Sequence, residues 1–142
     1  MNERHAKTAL VAAVAAFMAL VVWNNLADYG SNLAFVRHVL LMDTTFPDNR
    51  LRWRALGAEW MHHAFYAAII VWEFAAVALT VNLLLWFGAF LLVGGEWFVM
   101  WQSETWNGQD AAFRMFAVVG LILLFVRAPE IAVVPPFAAS DP

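Results

Sequence analysis

The chain has 142 residues, a length that fits one domain. Its hydrophobic fraction is 63% and its charged fraction 13%, against roughly 45–50% and ~25% in soluble domains. A small soluble core cannot bury that much apolar surface, so lipid is its natural solvent. The net charge of -3 argues against a nucleic-acid partner, and the lack of Cys excludes disulfides, thiolate metal sites and thiol catalysis.

The first apolar segment, "TALVAAVAAFMALVVW", starts at Thr8 behind Arg4 and Lys7. A signal peptide shares the basic start and apolar middle. This segment, however, ends in Trp23-Asn24-Asn25 with no small-x-small cleavage site near that polar end, so it reads as a retained membrane helix over about 8–27. Lys7 snorkels outward and Leu26-Ala27 extend the far end, which brings the run to spanning length.

The next stretch is "DYGSNLAFVRHVLLMDTTFPDNRLRWRAL". Asp28-Tyr29-Gly30-Ser31 reads as a turn, and Ser31 or Asn32 as the cap of a following helix. Over about 32–42, Phe35, Val39 and Met42 share one face, with Arg37 opposite and His38 near its edge. That pattern predicts a short helix lying on the membrane interface or on the other helices. Asp43-Thr44-Thr45-Phe46-Pro47-Asp48 breaks it. Arg50, Arg52 and Arg54 then alternate with Leu51 and Trp53. This suits an interfacial segment with arginines on headgroups and Trp53 in the aromatic belt; a specific anion or protein site is the alternative.

From Ala64 to Trp101 only Glu73, Thr80, Asn82, Glu96 and a few glycines interrupt the apolar residues. As one helix this run would be roughly 57 Å long, against a hydrocarbon core of ~30 Å. Two spans, about 62–80 and 83–101, with a turn at Thr80-Val81-Asn82, fit better. The fourth span, about 111–127, begins near Asp110, whose carboxylate suits a helix N-terminus. Arg114 sits one turn inside it, within snorkelling reach, and Arg127-Ala128-Pro129 stops it. The proline-rich tail beyond is expected to be extended. Four spans place both termini on one side of the membrane.

The histidines are His5, His38, His62 and His63, and none lies deep in a span. A bis-histidine haem needs ligands at matching depth on facing helices. His62 and His63 sit on different faces of one helix mouth, and only His38 is left to complete a pair. A metal site from His62, His63, His38 and Glu59 competes with a plain Glu59–His63 pair at i,i+4, the commoner arrangement, so no metal is expected. Glu73 falls near mid-membrane and Glu96 closer to the surface, within a turn or two of each other in depth. Membrane carboxylates face other helices or water. These two either handle protons or bind quinone, or are neutral acids bonded to a neighbouring helix, which is the preferred reading. His62, His63, Glu73 and Glu96 are the candidate cofactor residues. No cofactor is expected beyond bound lipids, with haem or quinone as the alternative.

In "GGEWFVMWQSETWNGQ", from Gly94 to Gln109, Trp97, Trp101 and Glu104 follow i, i+4, i+7 and share a helical face. Gly94-Gly95 admits another helix closely or bends this one. Trp101 and Trp106 mark a membrane exit, and Asn107-Gly108 a tight turn. Arg37, His38, Asp43, Gly94, Gly95, Glu96, Trp97, Trp101 and Trp106 together suggest a cap over one end of a bundle. No hydrolase triad, nucleotide loop or thiolate metal motif is present.

The stretches "NNLADYGSNLAFVRHVLLMDTTFPDN", "HHAFY" and "GGEWFVMWQSETWNGQDAAFRMF" resemble a bacterial family of predicted small integral membrane proteins, domain of unknown function 2165. The resemblance implies a four-helix protein of the bacterial inner membrane; it does not imply an activity. Relatives carry a polar, often basic hairpin and a fuller third helix between "HHAFY" and "VGGEW", where this chain has only "VNLL". Arg37, Arg50, Arg52 and Arg54 alone would make the long loop cytoplasmic. Arg4 and Lys7 ahead of the first helix, and the family's basic hairpin on their side, favour cytoplasmic termini.

The expectation is an all-α integral membrane four-helix bundle, one membrane domain over 1–142, with an interfacial helix in its first loop. Its role is read as non-catalytic: an accessory or structural subunit of a larger respiratory or photosynthetic complex in the lipid bilayer. A small haem- or quinone-binding redox protein is the alternative. A transporter or channel with Glu73 on its path is a third reading.

Overall fold

A computed structural model describes residues 2–129; the proline-rich tail over 130–142 lies outside the described residues. The described secondary structure is helical, without strands. Helix α1 (Glu3–Ala27) opens on Asn2, whose side chain accepts from the Arg4 amide at 3.2 Å, with Glu3 in the first turn suiting the helix dipole. Asp28 ends α1 and caps α2 (Tyr29–Leu41), its carboxylate accepting from the Ser31 amide at 3.4 Å. The turn expected over four residues is thus one residue long. Ser31 and Asn32, expected as caps, lie inside α2, where Asn32 donates back to the Asp28 carbonyl.

Helix α2 buries Val36, Val39 and Leu40 against α3 (Glu59–Ala75), a face rotated slightly from the Phe35, Val39 and Met42 face expected. Met42 is buried too, but in the left-handed region (φ 52°) that stops the helix. The arginine-rich stretch folds into a short 3₁₀ turn over Arg52–Arg54, with Arg54 half-buried while Arg50 and Arg52 stay exposed.

Helix α4 (Leu79–Trp97) follows α3 after only Ala76–Ala78. The turn therefore precedes the predicted Thr80-Val81-Asn82, because Asn82 is a turn-closing residue rather than a turn residue. From inside α4, fully buried, it donates its amide to the Ala76 carbonyl at 2.9 Å. Backbone carbonyls left free by a tight turn need such an internal donor where they are buried. From Leu85 onward α4 is wound wider, ending with Phe98 donating to the Val93 carbonyl five residues back. Val99 in the left-handed region (φ 46°) then breaks it. The third span thus stops at Trp97 rather than at 101. Trp97, Trp101 and Glu104 do not share a helical face. Gly108 and the Asn107 side chain, accepting from the Gln109 amide, start α5 (Gln109–Arg127).

Two contacts fix the directions. Lys7 donates to the Ala128 carbonyl at 2.6 Å, so α1 begins where α5 ends. Gln109 packs on Gly95 and Leu83 near Gly120, so α4 and α5 are antiparallel. One apolar cluster, including Val14, Met18, Leu79, Leu85 and Val119, joins α1, α4 and α5. A second, including Val36, Leu40, Tyr66, Phe98 and Met100, lies under the opposite end. Helices α1, α4 and α5 are long and apolar enough to cross a membrane. Helix α3, the second span expected over 62–80, has 17 residues and so is roughly 25 Å long, short of the ~30 Å core.

Candidate functional site

The polar groups converge in two places. The first is a seam between α1 and α3. Glu73 is 2% exposed, and its carboxylate accepts from the Asn25 side-chain amide at 2.6 Å. Both side chains lean toward their own helix N-terminus, which brings them together across antiparallel helices. The Tyr66 hydroxyl donates to the Asn25 carbonyl at 2.9 Å. The Tyr66 ring lies 4.8 Å from that of Tyr29, whose hydroxyl meets His63 Nδ1 at 2.9 Å. A polar line therefore runs from His63 at the surface, past the two tyrosines, to Asn25 and the buried Glu73.

Glu96 is not part of it. Glu73 lies three residues before the α3–α4 turn, while Glu96 is the next-to-last residue of α4 and exposed. The two carboxylates sit at opposite ends of the hairpin, on the order of 25 Å apart along α4. The matching depth expected from the sequence fails because α3 and α4 run in opposite directions across a three-residue turn.

The histidines are likewise separated. His62 is buried and donates from Nε2 to the Leu56 carbonyl at 2.6 Å, so Nε2 offers no free electron pair to a metal; Nδ1 is buried without a partner. His38 lies toward the far end of α2 from Tyr29, paired with Asp43 at 2.7 Å and stacked on Trp106 at 4.5 Å. A His38 partner for His62 or His63 is thus not formed. Glu59 and His63 are both exposed at the start of α3, and among the described residues no three His, Asp or Glu side chains gather as a metal site.

The second place is the cap. Arg54 lies over the rings of Trp97 (4.6 Å) and Trp53 (5.5 Å) and donates to the Trp97 carbonyl at 3.2 Å. Trp101 meets Phe46 edge-on, and Thr44 pairs with Ser103 at 2.7 Å. Trp106, expected both at a membrane exit and in the cap, is half-buried between His38 and Phe35. Gly94 and Gly95 are buried where Met100 and Gln109 pack on them, the close approach their pairing suggests. Arg37 is exposed on the outer side of α2. Asn25, Tyr29 and Tyr66 were not singled out from the sequence. Their one signal is that the carboxylate in the apolar run needs a partner, and Asn25 is a polar group at a helix end able to supply it.

The sequence model of one family, "Predicted small integral membrane protein (DUF2165)", matches residues 3–81 and 74–129. The chain belongs to this family. The two matched stretches of this small integral membrane protein overlap at 74–81, across the junction of α3 and α4 where the resemblance implied a longer hairpin. No curated protein and no solved structure matches the chain.

Proposed function

We propose that this small integral membrane protein is a non-catalytic accessory or structural subunit of a larger assembly, respiratory or photosynthetic, in the bacterial inner membrane. The outer face of α1 carries this reading. Only Val14 and Met18 of its 25 residues are buried, and Ala9, Ala12, Ala13 and Ala16 stand exposed at i, i+3, i+4, i+7. Small residues at that spacing let a second membrane helix come close. In the same reading α3 and α4 enter the bilayer as a short hairpin, completing a four-helix bundle. The α2 side faces the interface, and Arg4 and Lys7 hold the termini in the cytoplasm. A photo-cross-linker at position 13 tests it in native membranes. A discrete adduct with another subunit, lost when Ala12→Leu and Ala16→Leu crowd the face, is expected. Absence of any adduct contradicts it.

A quinone- or haem-binding redox protein is the second reading. The line from exposed His63 through Tyr29, Tyr66 and Asn25 to Glu73 favours it. A Soret band or extractable quinone in stoichiometric amount would decide for it.

A further inference from the structure

An apolar cavity of about 210 Å³ lies between α2, α3 and α4. Leu40, Phe65, Trp72, Ala89, Val93 and Phe98 are among its walls. Phe65, Ala68, Trp72 and Val93 on its rim are exposed, so it opens on the outer side of the bundle. Val93 also borders a second, shallower hollow formed with Leu92, Glu96 and Trp97, which continues toward the cap. There the Trp97 ring and carbonyl hold Arg54, whose Nε is buried without a hydrogen-bond partner. Among the described residues Arg50 and Arg52 have no carboxylate partner, and Glu96 makes no ion pair with Arg54.

We infer that this groove is a phospholipid site, with one acyl chain in the cavity and the phosphodiester on Arg54. Apolar walls below a cation match that ligand, and the Glu96 carboxylate that also lines the upper hollow is exposed and open to water. The walls have almost no polar surface, the rim is exposed on the outside of the bundle, and a guanidinium that spends one donor on the Trp97 carbonyl stands at its upper end. Such a fork suits a phosphate better than an ammonium does. From Ala89 to Trp97 the groove extends on the order of 10 Å, the reach of part of one chain. The inference does not depend on whether a partner subunit exists.

The test is tryptophan quenching in the full-length protein, purified in mild detergent and titrated with phosphatidylglycerol brominated in its acyl chains. Saturable quenching is expected, with its amplitude reduced in Trp72→Phe. The half-saturation concentration should rise about tenfold in Arg54→Gln, the loss of one charge-assisted hydrogen bond, and less in Arg54→Lys. Brominated diacylglycerol, with the same chains and no phosphate, should bind at least as weakly as the phospholipid does to Arg54→Gln. Equal affinity for the two lipids, equal affinity of Arg54→Gln and the native protein, or quenching that never saturates would each overturn the site. If Arg54→Gln does not fold, the lipid comparison and Trp72→Phe still decide. A groove that excludes brominated lipid in native membranes because a protein segment fills it also counts against the inference.

Discussion

Three residues and the Asn82 amide close the bundle between α3 and α4. The opposite end is closed by two long stretches, 42–58 and 98–108. Thr44 pairs with Ser103 and the Phe46 amide with Gln102 between them, while Arg54 bonds the Trp97 carbonyl at the end of α4 and His38 of α2 stacks on Trp106. Beneath the tight turn, the seam between α1 and α3 adds one more short hydrogen bond to a buried carboxylate. The difference follows from solvent. Where water is scarce each backbone or carboxylate group needs a dedicated internal partner, so few bonds form and each matters. At the exposed cap water competes, so many bonds form and each contributes little.

That contrast predicts unequal costs. Tyr66 is the largest fully buried side chain among the described residues and links α1, α2 and α3. Tyr66→Ala should destabilise the protein by roughly 3–5 kcal/mol, whereas Tyr66→Phe loses only the bond to Asn25, about 1 kcal/mol. Thermal unfolding in detergent reads both, and equal effects would show that packing around Tyr66 is loose. Glu73→Leu leaves the Asn25 amide without its acceptor, at a cost of about 1–3 kcal/mol, while Glu73→Gln keeps an acceptor and should stay close to native. If Gln were as damaging as Leu, the negative charge rather than the hydrogen bond would be what the seam requires.

At the cap, Trp97→Ala removes one face of the Arg54 stack, about 1 kcal/mol. Its clearer readout is faster tryptic cleavage at Arg50 and Arg52, with the transmembrane fragments still resistant. Cleavage unchanged from the native protein would mean the 42–58 stretch is held by other contacts. Smallest is Asp43→Asn, which weakens an exposed pair with His38 by under about 0.5 kcal/mol and should leave the unfolding midpoint within error. A large shift there would erase the contrast between the two ends.

The helices were legible because long apolar runs and their stops are local. The Arg127-Ala128-Pro129 stop and the Asn107-Gly108 start of α5 were read within two residues. Polarity alone points to the wrong place for the α3–α4 turn. A buried Asn that closes a turn from inside the next helix has the same letter as one at its apex. The end of α4 was missed because a β-branched Val99 in the left-handed region runs against its own preference, held there by burial of Phe98, Val99 and Met100. The Asn25–Glu73 bond was out of reach because the register of α1 against α3 is set by packing between distant segments. Family membership was legible from the unusual polar-aromatic stretches that build the cap.

The most direct measurement is to isolate the tagged protein from its native membranes in mild detergent, record its visible spectrum and identify what comes with it. A colourless preparation with another membrane subunit in fixed stoichiometry is the predicted result. A haem spectrum or bound quinone in a protein purified alone would contradict the accessory-subunit account and turn attention to His63, Tyr29 and Glu73.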